Sequence, residues 1–236
     1  MEMKSKVVIE PFALSSETTK LLGSYPSSAI LRDVYARTLH EERLGIIRLW
    51  MTEGIPFAFK QYPLLYEEVR NFIARGITVE AKEVTLVGSG RIGFSLSKDE
   101  WGDPFNGDSD LDFVVVSDSL FRVLVAEFQT WVRDLASRKV LPRNEPETAT
   151  WLENIEILNQ KIPRGFIQVR LLPFHDNYPH VRRCYDTIWL LRKKLKSTAT
   201  APRISDASIR VYSSWRSCVN QLRINFNIAL NLWGHH

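Results

Sequence analysis

The 236-residue sequence predicts an α+β fold, with a small mixed β-sheet core, helices before it and a helical part after it. Three observations carry that expectation. Short β-branched runs bounded by turn residues occur at 83–88 ("EVTLVG"), 110–116 ("DLDFVVV") and 165–173 ("GFIQVRLLP"), and these read as strands. Long stretches with apolar residues at helical spacing lie between and around them. The strand signals are confined to the middle of the chain, which divides it into a helical arm (1–62), a mixed core (63–176) and a basic helical region (177–236).

Each element has its own warrant. The first twenty-five residues read as irregular. Residues 27–51 read as one long helix capped by Ser27 or Ser28 and marked by Leu31, Val34, Tyr35, Leu39, Ile46, Ile47 and Trp50. Gly54 and Pro56 end it. Residues 63–76 form a second helix, with Pro63 in the first turn and Gly76 at the cap beyond the last. After the second strand, Ser117 or Asp118 caps a helix whose stripe is Leu120, Leu124, Phe128, Trp131 and Leu135. "VLPRNEPETAT" reads as loop, 150–160 as a short helix and 181–196 as a longer one. Beyond Pro202, a C-terminal helix starts at Ser205 or Asp206, and its apolar marks run from Ile209 and Tyr212 to Leu230.

Composition bounds the function classes. A hydrophobic content of 44% supports a buried core, and no run of eighteen apolar residues suggests a membrane span. The N-terminus lacks the apolar region of a signal peptide. Cys184 and Cys218 have no metal-ligand spacing, so a reducing, cytoplasmic setting is expected. The net charge of +4 hides an asymmetry. Residues 161–236 hold 13 Lys plus Arg against 3 Asp plus Glu, while the other 160 residues hold 18 and 24. That segregation suits a polyanionic partner, and suits a solvated basic helix face equally well.

The stretch from 84 to 116 carries the chemistry. Side chains alternate along a strand, so Asp110 and Asp112 point one way and Leu111, Phe113 and Val115 the other. Two neighbouring carboxylates repel each other and resist desolvation, and a divalent cation relieves both costs. Mg²⁺ takes one or two carboxylates and fills its shell with water and phosphate oxygens. Upstream, Gly88 ends a strand, and Ser89 opens a turn that reads as continuing into a short helix. Exposed backbone N–H groups there suit a phosphate, with Gly88 and Gly90 allowing close approach and Arg91 balancing charge. The plainer reading is a solvent-facing strand end beside an ordinary turn.

Gly88-Ser89 with Gly93, followed by Asp110-Leu111-Asp112 on a strand, resembles the DNA polymerase beta-like nucleotidyltransferase superfamily. The "GSGRIG" spacing looks like the minimal nucleotidyltransferases and the abortive-infection toxin relatives. The resemblance covers 83–117, and 65–175 by order of elements. It implies a nucleotidyltransferase core that binds a nucleoside triphosphate at Gly88, Ser89, Gly90, Arg91 and Gly93, with Mg²⁺ (or Mn²⁺) on Asp110 and Asp112. It also implies transfer of a nucleoside monophosphate to a hydroxyl of RNA, nucleotide or protein. A toxin or anti-phage role and a protein partner encoded nearby come with the same likeness.

Two features depart from the family pattern. The gap from Ser89 to Asp110 is long, and its polar insertion "SLSKDEWGDPFNGD" reads as a lid or substrate loop. The third carboxylate is expected on "FIQVRLL", whose outward polar residues are Gln168 and Arg170. Asp176, just beyond, is the candidate for that catalytic role, with Glu153 and Glu156 weaker. The missing acid keeps a second reading open, that of a catalytically impaired nucleotide- or RNA-binding sensor. Arg182, Arg183, Arg192, Lys193, Lys194 and Lys196 crowd one short region, with Arg182, Asp186 and Lys193 near one helix face and Trp189 and Leu190 turned elsewhere. Basic residues beside aromatics are consistent with a single-stranded acceptor or with a triphosphate.

Overall fold

The computed structural model describes residues 14–231. The irregular reading of 1–13 and the terminal His235 and His236 lie outside those residues.

The fold is α+β. Its sheet contains β1 (Val84–Val87), β2 (Leu111–Val116), β3 (Phe166–Gln168) and β4 (Ala207–Tyr212), in the order β1-β2-β4-β3. β2 runs antiparallel to β1 and parallel to β4, and β3 is antiparallel to β4. The eight α-helices among the described residues are α1 (Ser28–Arg37), α2 (His40–Thr52), α3 (Pro63–Ile77), α4 (Ser89–Ile92), α5 (Asp118–Ala136), α6 (Glu145–Lys161), α7 (Pro179–Lys196) and α8 (Trp215–Ala229).

Alternation along the strands builds two cores, one on each face. Leu86, Phe113, Val115, Ile209 and Val211 point to a core shared with α3, α5 and α7. Val87, Val114, Val116, Phe166 and Tyr212 point to a second core closed by α1, α2 and α8. The N-terminal helices therefore pack against the sheet itself. Both cysteines are buried, one in each core, and burial pushes each thiol up to about 12.

The structure corrects several expected elements. The long N-terminal helix is two, because Thr38 and Leu39 are extended. Thr38 Oγ1 donates to the Tyr35 carbonyl, Arg43 donates to the carbonyls of Tyr35 and Ala36, and Glu42 accepts from the Leu39 N–H. These side chains satisfy the backbone groups that the break exposes. Gly76 lies inside α3 rather than beyond it. Its reason is packing, since a Cβ there would stand 2.4 Å from Thr187 Oγ1 on α7.

α6 begins well before residue 150. Asn144 accepts from the Glu147 N–H at 2.9 Å, and Pro146 sits in the first turn, so half of the expected loop is helix. The strand expected over 165–173 stops at Gln168, where Val169–Leu171 turns into a 3₁₀ segment.

The largest correction is at the C-terminus. No helix starts at Ser205 or Asp206. Residues 207–212 form a central strand, and α8 starts after Ser214, whose hydroxyl accepts from the Ser217 N–H.

Candidate functional site

The β1–β2 pairing sets the site. Val87 lies opposite Asp112, so the chain turns at Gly88 directly beside the Asp112 carboxylate. Gly88 has φ 70° and ψ −154°, a conformation essentially confined to glycine. A Cβ built there would stand 3.4 Å from Asp112 Oδ2. The glycine and the aspartate are thus positioned by the same two strands.

Asp112 lines a cavity of about 400 Å³ together with Gly88, Ser89, Lys98, Arg210 and Phe226. β1, β2 and β4 form its floor, α8 one wall, and the start of the 95–108 insertion another. The insertion is thus anchored at the cavity, with Phe94 bridged to Pro104 and Trp101 edge-on to Phe226 of α8.

Asp110 sits at the mouth of β2, exposed and outside the lining of that cavity. Ser205 Oγ donates to its Oδ1. Ser208 Oγ donates to Asp112 Oδ1 at 2.7 Å, and the Arg210 guanidinium lies 3.6 Å from the same oxygen. Arg210 belongs to a crowd of cations. Lys161 is held below the usual lysine range by burial first, and then by Arg210, Arg170 and Arg164. Asp112 is therefore one negative group beside a cluster of cations at the inner strands of the sheet.

The other expected site residues separate. Gly90 is buried under Leu86 and Leu111, and Gly93 ends α4 against the Phe57 ring. Arg91 does not face the cavity. It is 3% exposed, donates to the Ile55 carbonyl at 2.8 Å, and leaves Nε without a partner, so burial lowers its pKa. Its position follows from α4 being a single turn, which points residue 91 under Gly54. Asp176 precedes α7, is exposed and pairs with Arg182, outside the cavity.

The strand beside β2 is β4, not the "FIQVRLL" segment, so Gln168 and Arg170 are not the positions that face the acid pair. β4 begins immediately after Asp206. The Leu111 N–H donates to the Asp206 carbonyl at 3.0 Å, which sets Asp206 beside Asp110 one rung below the paired residues. The Asp206 carboxylate accepts from the Ala207 N–H and pairs with Arg192 at 3.0 Å. The place of Asp206 before Ile209 and Tyr212 reads in the sequence as a helix cap. The alternation of Ala207, Ile209 and Val211 with Ser208 and Arg210 was the available signal.

No group of three or more His, Cys, Asp or Glu side chains gathers into a metal-ligand cluster among the described residues. The donors present near β2 are carboxylate and hydroxyl oxygens, the type that suits a hard cation such as Mg²⁺. No described helix is long and apolar enough to cross a membrane. Comparison of the chain with protein-family models, curated proteins and solved structures returned no match.

Proposed function

We propose that the chain is a divalent-metal-dependent nucleotidyltransferase that moves a nucleoside monophosphate from a nucleoside triphosphate to a hydroxyl acceptor. One observation carries the reading. The Asp112 carboxylate shares a cavity with Ser89, Lys98 and Arg210, backed by the cations around Lys161. Hydroxyl and cationic groups suit the polyphosphate, and the carboxylates suit the metal. Positioning and charge neutralisation are most of what phosphoryl chemistry asks of a protein.

In this reading Ser89, Lys98 and Arg210 hold the triphosphate. Asp112, with Asp110 just outside the cavity lining, would hold Mg²⁺ or Mn²⁺, which would supply neutralisation of phosphate charge and polarisation of the phosphoryl group. The acceptor oxygen bonds to the α-phosphorus as the bond to the β-bridging oxygen breaks, and pyrophosphate leaves. The hydroxyl proton passes to a carboxylate, and we assign that role to Asp206 in place of Asp176. The acceptor hydroxyl belongs to an RNA, a nucleotide or a protein, and the transfer assay tells these apart.

Incubation with labelled nucleoside triphosphates, Mg²⁺ and total RNA tests it. Transfer should vanish in Asp112→Asn and fall in Asp206→Asn with nucleotide binding retained, while Asp176→Asn behaves as the parent. No transfer by the parent protein to any acceptor removes the enzymatic reading. A toxin role predicts growth arrest on induced expression, relieved by Asp112→Asn.

The engagement of Asp112 by Ser208 and Arg210 favours a second reading, a nucleotide or RNA sensor that binds without turnover. Calorimetry separates the two. A sensor binds nucleotide equally with and without divalent metal and releases no pyrophosphate.

A further inference from the structure

A second concavity opens on the other side of Asp110. It has a volume of about 840 Å³ and lies between the C-terminal half of α7 and residues 198–205. Trp189, Arg192, Lys193, Lys196 and Arg203 line it, with Asp108 as the one acid of the lining. Arg192 is paired with Asp206, but Lys193, Lys196 and Arg203 have no carboxylate within 4 Å among the described residues. Trp189 is 53% exposed, and the Lys193 ammonium sits 3.7 Å from its ring centroid. One face of the indole is thus covered by a cation, and about half of the residue remains open to solvent.

A large exposed aromatic ring set among cations is a specific combination. Cations alone would suit any polyanion and an acidic peptide would not need the ring, while a membrane would need an apolar face that protrudes rather than a ring lining a concavity. A duplex keeps its base faces stacked inside. An unpaired strand offers both a charged backbone and free π-faces. The cleft is of the size that encloses a drug-sized ligand, so it takes one or two nucleotides of a strand rather than a helix.

We propose that this cleft binds single-stranded nucleic acid, with a base on Trp189 and the phosphates on Lys193, Lys196 and Arg203. Binding there stands apart from the chemistry of the Asp112 cavity. The two regions meet at Ser205, which lines the cleft and donates to Asp110. If the transfer reading holds, the strand bound here is the acceptor, and this second step rests on that reading.

Fluorescence anisotropy with a short labelled single-stranded RNA tests the proposal, in chelator and without nucleotide. A loss of transfer activity therefore leaves the result untouched. Three phosphate contacts predict a slope of log affinity against log salt of about −2. Replacing Lys193, Lys196 and Arg203 together by alanine should flatten that slope. Trp189→Ala should weaken binding about tenfold at unchanged slope, and Trp189→Phe should recover most of it. Circular dichroism of the exposed-residue variants checks that each is folded. Three outcomes would overturn the proposal: no RNA binding at low salt, unchanged affinity in folded Trp189→Ala, or competition by inorganic polyphosphate or polyglutamate as effective as RNA at equal charge.

Discussion

Gly88→Ala separates two reasons for a glycine beside the Asp112 carboxylate. One is crowding and the other is backbone conformation. A Cβ at 3.4 Å from Asp112 Oδ2 makes an ordinary contact, so crowding contributes little. The backbone angles lie where a non-glycine residue costs about 1–3 kcal/mol. Alanine also narrows the unfolded ensemble, which offsets about 0.4–1 kcal/mol. The expected net loss is about 1–2 kcal/mol, or a melting temperature lower by about 2–8 °C for a chain of this size. Urea denaturation of Gly88→Ala, Asp112→Ala and the double variant measures it. The two changes should add to within about 0.5 kcal/mol. Undiminished stability in Gly88→Ala, or its rescue by Asp112→Ala, would refute the reasoning.

Gly76→Ala should give the opposite pattern. Helix propensity gains about 1 kcal/mol, but the clash with Thr187 costs about 1–3 kcal/mol, so the urea midpoint should fall. Removing Thr187 Oγ1 and Cγ2 in Gly76→Ala/Thr187→Ala should then recover most of the loss. With both thiols pushed up to about 12, only about one part in 10⁴ is thiolate near pH 8. Thiol reagents should leave the native protein unmodified there and label both cysteines in denaturant. Glu127 accepts from the N–H groups of His180 and Val181 and from the His180 ring, tying α5 to the start of α7. Glu127→Ala should cost about 1–3 kcal/mol by chemical denaturation, and an unchanged midpoint would show that water replaces the cap.

The legible parts of this fold are those where one signal dominates. α5 follows its stripe because Leu120, Leu124, Phe128 and Trp131 recur at helical spacing on one buried face. β1 and β2 follow from β-branched runs that are buried on both sides. The misreadings have a shared cause, which is competition between two valid patterns. Ile209, Tyr212, Trp215 and Val219 fit a helical stripe, yet Ala207, Ile209 and Val211 fit a strand, and pairing with β2 decides between them. Gly76 reads as a helix stop until α7 arrives against it. The same limit applied at the site. The Gly88–Asp112 juxtaposition was readable from the Gly-Ser turn and the Asp-x-Asp pattern. The burial of Arg91 and the placing of Asp206 beside Asp110 depend on partners far away in sequence.

The parallel pairing of β2 with β4 bears on how the molecule is made. The inner half of the sheet joins residue 111 to residue 207, so the roughly ninety residues between the two strands must leave the ribosome before the layer can close. Until then β2 carries an open edge of apolar strand, a state that invites misassociation. A nascent chain of this kind gains from a chaperone that shields this edge until residues 207–212 emerge.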